Sequence, residues 1–97
     1  MVKRIVKMTF RKEACDEFVA LFEHYHTHIR HVPGCLSLQL VRAREPQGVF
    51  FTLSTWEHPD DLERYRRSEL FAEVWPRTRA LFAEPAEAWT ADVLFDL

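Results

Sequence analysis

The stretch Ser54-Thr55-Trp56-Glu57-His58-Pro59-Asp60-Asp61-Leu62-Glu63-Arg64-Tyr65-Arg66-Arg67-Ser68-Glu69-Leu70-Phe71 reads as a strand end, a sharp stop and a helix. Ahead of it, Val49 to Thr55 is dense in β-branched and aromatic residues, which suit a pleated, half-buried surface. His58-Pro59 ends that run. Pro59 is pre-set for the first helical position, because its fixed φ suits a helix and its missing N–H is not needed there. Asp60 and Asp61 follow in the first turn, where carboxylates face the positive end of the helix dipole. Leu62, Tyr65 and Glu69 trace one side of the helix, and Phe71, Val74 and Trp75 continue an apolar stripe. Trp56, Tyr65, Phe71 and Trp75 thus cluster at one strand-to-helix corner, the place to expect a pocket.

Outward from this corner the chain keeps a regular alternation. Val2 to Phe10 is a strand with Val2, Val6, Met8 and Phe10 on one face and Lys3, Ile5, Lys7 and Thr9 on the other. Arg4 interrupts the apolar face and is expected near the strand end. From Lys12 to Val32, the residues Ala14, Phe18, Leu21, Phe22, Tyr25, Ile29 and Val32 step by three or four, the stripe of an amphipathic helix. Pro33-Gly34 stops it. Cys35 to Arg42 is a second strand, with Leu36, Leu38 and Leu40 together on one face. Arg44-Glu45-Pro46-Gln47-Gly48 is turn sequence, so Val49 to Trp56 returns as the other arm of a hairpin. A second helical region is expected from Pro59 to Phe82, broken or kinked at Pro76, with Ser68 able to cap a new turn. Ala86 to Phe95 alternates again and makes a last strand.

The order β-α-β-β-α-β is the split βαβ arrangement of an α+β, ferredoxin-like fold, a four-stranded antiparallel sheet with helices on one face. Ile5, Thr9, Ser37, Gln39 and Val41 fall on the opposite face. That face is too apolar for water and too polar for a monomer core. A second copy of the same sheet is its expected cover, giving a homodimer.

The 97 residues make one small domain, with 8 Phe, 3 Trp and 2 Tyr supplying more aromatic surface than so short a chain readily hides. A formal net charge of −2 argues against nucleic acid or an anionic membrane as the main partner. No apolar run approaches the ~20 residues that span a bilayer, and the strand-like N-terminus lacks a signal peptide's apolar stretch, so a cytoplasmic location is expected. Cys15 and Cys35 lack metal-site spacing and read as reduced, partly buried thiols.

Pro33-Gly34-Cys35, Phe50-Phe51-Thr52, Ser54-Thr55-Trp56-Glu57 and the later Leu62, Tyr65, Ser68 and Phe71 resemble the antibiotic biosynthesis monooxygenase (ABM) domain family. The likeness runs over nearly the whole chain, and Leu81-Phe82-Ala83-Glu84-Pro85 with Glu87-Ala88-Trp89 resembles a bacterial subgroup. The resemblance implies a ferredoxin-like protomer whose sheets pair in a dimeric α/β barrel. It also implies oxygenation of quinol-like or anthrone-like aromatics without metal or flavin, since the substrate carbanion itself reduces O2. A heme-degrading branch of the family uses an asparagine, a tryptophan and an axial histidine. Those positions fall on Val6, Tyr65 and Trp75 here, so that route lacks its iron ligand, and no cofactor is expected.

The candidate residues follow. Trp56 and Tyr65 are the candidates for catalytic contact, and Trp56, Tyr65, Phe71 and Trp75 for substrate binding; each also suits a plain core aromatic. His24, His28 and His31 share a helical face at spacings of four and three, with Glu17 two turns earlier. Such a row suits a divalent metal or simple solvation, and no metal site is assigned to it. His58 suits a helix cap better than a base. Arg64, Arg66 and Arg67, with Glu63 and Glu69 beside them, read as a solvated face, the alternative being a clamp for an anionic substrate. Cys35 has no sequence neighbour to stabilise a thiolate. Two functions are carried forward: a cofactor-independent monooxygenase of a small aromatic substrate, and a non-catalytic dimeric module that binds a hydrophobic molecule or is purely structural.

Overall fold

The computed structural model describes residues 1–97. Strand β1 (Val2–Phe10) leads through a short 3-10 turn (Lys12–Ala14) into α1 (Cys15–Arg30); β2 (Cys35–Arg42) and β3 (Val49–Trp56) form the hairpin; α2 (Pro59–Arg66) and α3 (Glu69–Arg79) precede β4 (Phe82–Asp92). The sheet is antiparallel in the order β2-β3-β1-β4, so the two halves interleave as the ferredoxin-like pattern requires. No helix is long and apolar enough to cross a membrane.

The alternation of β1 decides which face is dry. Val2, Met8 and Phe10 are buried against the helices, and β3 answers with Phe50, Ser54 and Trp56 on the same side. The apolar interior falls into two halves. Met8, Phe10, Ala14, Phe18, Phe50 and Leu81 form one, and Val2, Cys35, Trp56 and Leu62 form the other. Each such buried side chain contributes about 1.5–3 kcal/mol relative to exposure, so both halves matter to stability.

The turn into β2 depends on Gly34. Its φ is +88°, and a Cβ there would run into the Asp61 side chain at the start of α2. Glycine therefore lets the two corners touch, and the Gly34 carbonyl accepts a hydrogen bond from the Glu57 amide at 2.9 Å.

Several boundaries differ from those read in the sequence. The second helical region breaks at Arg67-Ser68, where Ser68 Oγ accepts from the Phe71 amide at 3.2 Å and starts α3; Pro76 lies inside α3 without ending it. Ala72 and Pro76 are both exposed, so the carbonyl that proline leaves without an amide donor lies on the solvent side of α3. The last strand begins at Phe82 rather than Ala86 and ends at Asp92 rather than Phe95. It is an edge strand, where Pro85 is tolerated because one row of amides needs no ladder partner. Leu36 does not share a face with Leu38 and Leu40. An irregularity between Cys35 and Ser37 leaves Leu36 43% exposed while Cys35 turns inward. Arg4 is not beyond the pairing either. It sits within β1, opposite Ser54 on one side and Thr90 on the other.

Candidate functional site

Between the two halves of the core lies a cavity of about 280 Å³, bounded by β1 and β3 below and by α1, α2 and α3 above. It exists because side chains from the two clusters diverge: Met8 and Phe18 belong to one, Trp56 and Leu62 to the other, and all four border the space. The wall facing α2 and α3 is aromatic. Trp56 stacks on Tyr65 (centroids 5.3 Å apart, planes at 21°), Tyr65 meets Phe71 edge-on at 5.3 Å, and Phe71 stacks on Trp75 at 5.7 Å and 15°. Trp75 then meets Phe82 edge-on at 5.7 Å. Such pairs add about 0.5–1.5 kcal/mol each beyond their area, which makes this wall stiff.

All four residues singled out in the sequence therefore border one space. The break at Ser68 is what makes this geometry: a straight helix from Pro59 onward would carry Phe71 and Trp75 along the α2 axis. The hydroxyl of Ser68 donates to the Tyr65 carbonyl at 2.6 Å while it caps α3, so the corner is pinned on both sides.

The polar atoms of the wall differ in availability. Trp56 is 1% exposed, and its indole N–H donates to Ser54 Oγ at 2.9 Å. That donor is therefore already engaged within the chain. The hydroxyl of Tyr65 makes no hydrogen bond within the chain, and no buried side-chain polar atom lacks a partner, so this hydroxyl keeps an open side. Burial, then the neighbouring Cys35, pushes the Tyr65 pKa up to about 12. Tyr65 is thus a neutral phenol at physiological pH, a donor and not a base. Burial likewise pushes the Cys35 thiol up, against a smaller opposing effect of Arg30, so Cys35 packs as a protonated thiol.

Two cationic side chains border the same cavity. Arg4 enters from β1 with its Nη1 donating to Thr90 Oγ1 at 2.9 Å, and Arg66 enters from α2 with its Nη1 3.0 Å from Glu63 Oε1. Desolvation and the repulsion of Arg66 lower the Arg4 pKa, partly offset by Glu63. No carboxylate and no imidazole borders the space. The sequence reading missed Arg4, although its even-numbered place in the alternating strand was the signal. Among the basic residues of α2, only Arg66 reaches the cavity; Arg64 pairs with Asp61 at 2.8 Å, and Arg67 Nε donates to the Glu63 carbonyl at 3.4 Å.

The remaining candidates lie elsewhere. His58 caps α2, its Nδ1 accepting from the Asp60 amide at 3.0 Å. His24, His28 and His31 are exposed, His31 Nδ1 lies 2.7 Å from the Thr27 carbonyl, and no three His, Cys, Asp or Glu side chains converge as a metal set. Trp75, the counterpart of the heme branch's axial histidine, offers an indole that cannot ligate iron, so the ligand of that branch is not reproduced at this position.

Residues 1–76 match the sequence model of the antibiotic biosynthesis monooxygenase family. The chain belongs to that family. No protein of curated function matches its sequence. Among solved structures, an antibiotic biosynthesis monooxygenase is 22% identical with a TM-score of 0.89, over 97% of this chain and 99% of the other. A structure described as a putative antibiotic biosynthesis monooxygenase from Caulobacter crescentus is 19% identical with a TM-score of 0.90, over 97% and 90% of the two chains. SnoaB of Streptomyces nogalater, a cofactor-independent oxygenase, is 21% identical with a TM-score of 0.87, over 99% and 95%. At these identities the structural likeness establishes the shared fold of this ABM-family member.

Proposed function

We propose that the chain is a cofactor-independent monooxygenase of a small aromatic, quinol-like substrate. The observation that carries this reading is the continuous aromatic wall Trp56-Tyr65-Phe71-Trp75 along a cavity of about 280 Å³. A flat, electron-rich ring slides along such a wall with its edge toward Tyr65. Family membership supports the reaction class, and the oxygenase SnoaB supports the absence of a cofactor requirement. The chemistry balances without an external reductant. One ring C–H of the quinol becomes a C–O bond, the second oxygen of O2 leaves as water with two substrate hydrogens, and all four electrons come from the substrate. The neutral Tyr65 phenol would donate to a substrate oxygen as charge develops there, and the apolar walls would exclude water from the intermediate. The test is oxygen uptake with electron-rich phenols and quinols, comparing the wild type with a Tyr65→Phe, Trp56→Ala double variant. Turnover should vanish in the variant; a folded variant with undiminished uptake removes the proposal.

A second reading, a dimeric binding module without turnover, is favoured by one specific feature. No carboxylate or imidazole borders the cavity to take a substrate proton, and Tyr65 is unionised at neutral pH. Ligand-induced thermal stabilisation without oxygen uptake across the same panel would select this alternative.

Either reading includes a homodimer built on the outer sheet face. There Trp89 lies opposite Ile5, Ile5 opposite Leu53 and Leu53 opposite Gln39, a row that crosses all four strands. Trp89 is 49% exposed and Val41 39% exposed on this face, which supports a cover by a second copy.

A further inference from the structure

We propose that Arg4 and Arg66 form an anion-recognition site at one side of the cavity, so that the ligand is an aromatic acid, its ring on Trp56 and Tyr65 and its carboxylate on the guanidinium of Arg4. This rests on reading the cavity as a ligand site and adds the chemical class of the ligand.

The placement of Arg4 is what packing does not explain. Every other inward residue of β1 is apolar: Val2, Val6, Met8 and Phe10. A guanidinium in that row is desolvated at a cost, and the cost is raised by Arg66, which repels it. A guanidinium carries five N–H donors, yet Arg4 donates only to Thr90 Oγ1 and has no carboxylate within ion-pair distance. Its positive neighbour Arg66 is held by Glu63, so the group of three carries a net charge of about +1 where no carboxylate borders the cavity. A planar carboxylate is the complement of a free guanidinium edge, because two parallel N–H donors meet its two oxygens.

The topology sets where the rest of the ligand goes. Arg4 lies directly opposite Ser54 in the β1–β3 ladder, and Ser54 holds the Trp56 indole. Arg4, Trp56 and Tyr65 border the same cavity, so a ligand held by Arg4 at one end can lay its ring on the aromatic wall.

The experiment compares 6-hydroxy-2-naphthoate with its methyl ester, two probes with the same rings and different charge. Binding is read by quenching of tryptophan fluorescence, since Trp56 and Trp75 border the site, and by titration calorimetry. The acid should bind at least about tenfold tighter than the ester, the scale of one hydrogen bond to a charged group, and should weaken as salt rises while the ester does not. Arg4→Gln and Arg66→Gln should each reduce the acid's advantage and leave the ester unchanged, and Arg4→Lys should keep part of it. Equal affinity of acid and ester for the wild type overturns the site. So does an advantage that survives in the Arg4→Gln, Arg66→Gln double variant, which reads folding independently through the ester. Oxygen uptake across the panel of electron-rich phenols and quinols separates this from the monooxygenase reading. A charge preference in binding without uptake across that panel sinks oxygenation and keeps the anion site; uptake on the panel with equal binding of acid and ester does the reverse.

Discussion

The indole N–H of Trp56 donates to Ser54 Oγ, two residues back on the same face of β3, at 2.9 Å. Both residues are buried, and the bond fixes the plane on which Tyr65 stacks. Ser54→Ala would leave that N–H without a partner and should cost about 1–3 kcal/mol in urea unfolding. Adding Trp56→Phe to Ser54→Ala removes the orphaned donor, so the hydrogen-bond part of that loss should not be added again. Fully additive losses in this double-mutant cycle would show that the bond carries no coupling.

Tyr65 gives a pH signature. Its pKa rises to about 12 from an ordinary value of about 10, so the folded state disfavours the phenolate. Stability from this source is fully present below pH ~10 and is lost as pH climbs through the folded value. Tyr65→Phe should therefore lose less stability than the wild type between pH 10 and 12, and phenolate absorbance should show one tyrosine ionising late. Identical alkaline unfolding curves for the two proteins would contradict the burial described for this ring.

The helix break makes a paired prediction. Ser68→Ala removes the cap of α3 and should cost about 0.5–2 kcal/mol, with a loss of ligand affinity because Phe71 and Trp75 are no longer held. Pro76→Ala restores an amide donor within α3 and should be neutral or stabilising, because proline disfavours a helix interior. A lowered denaturant midpoint for Ser68→Ala with an unchanged or raised one for Pro76→Ala is the expected outcome. A destabilised Pro76→Ala protein would show that the proline ring supports α3.

The outer sheet face is tested by Trp89→Glu. A charge at the β4 end of the row that crosses the sheet should shift the molecular mass in light scattering from two chains to one. A wild-type protein that is already monomeric at micromolar concentration would remove the dimer from the proposal.

Arg4 shows a compromise between stability and binding. Its charged form is disfavoured in the fold by desolvation and by Arg66, so Arg4→Met should melt no lower than the wild type when no ligand is present. The same variant should lose most of the stabilisation that 6-hydroxy-2-naphthoate gives the wild type. A large drop in melting temperature for the unliganded variant would mean Arg4 serves packing instead.

The sequence alone determined the element order, the inward face of β1, the stripe of α1 and the aromatic corner from Trp56 to Trp75. Alternation by two and stepping by three or four are local properties, imposed by the pleat and the helical turn before any distant contact forms. Strand ends were less legible: Phe82 continues an apolar helix pattern in sequence, and only its packing against Phe10 in the sheet pulls it into β4. The choice between Ser68 and Pro76 as the break was likewise not local, since a proline with its face to water is tolerated while a serine at a corner can cap. The cavity and its cations belonged wholly to the tertiary structure. Arg4 and Arg66 are 62 positions apart and come to one space only because β1 lies beside β3 while α2 packs above it. Sequence spacing carries no record of that, because charges separated by a fold's full length meet through topology and not through period.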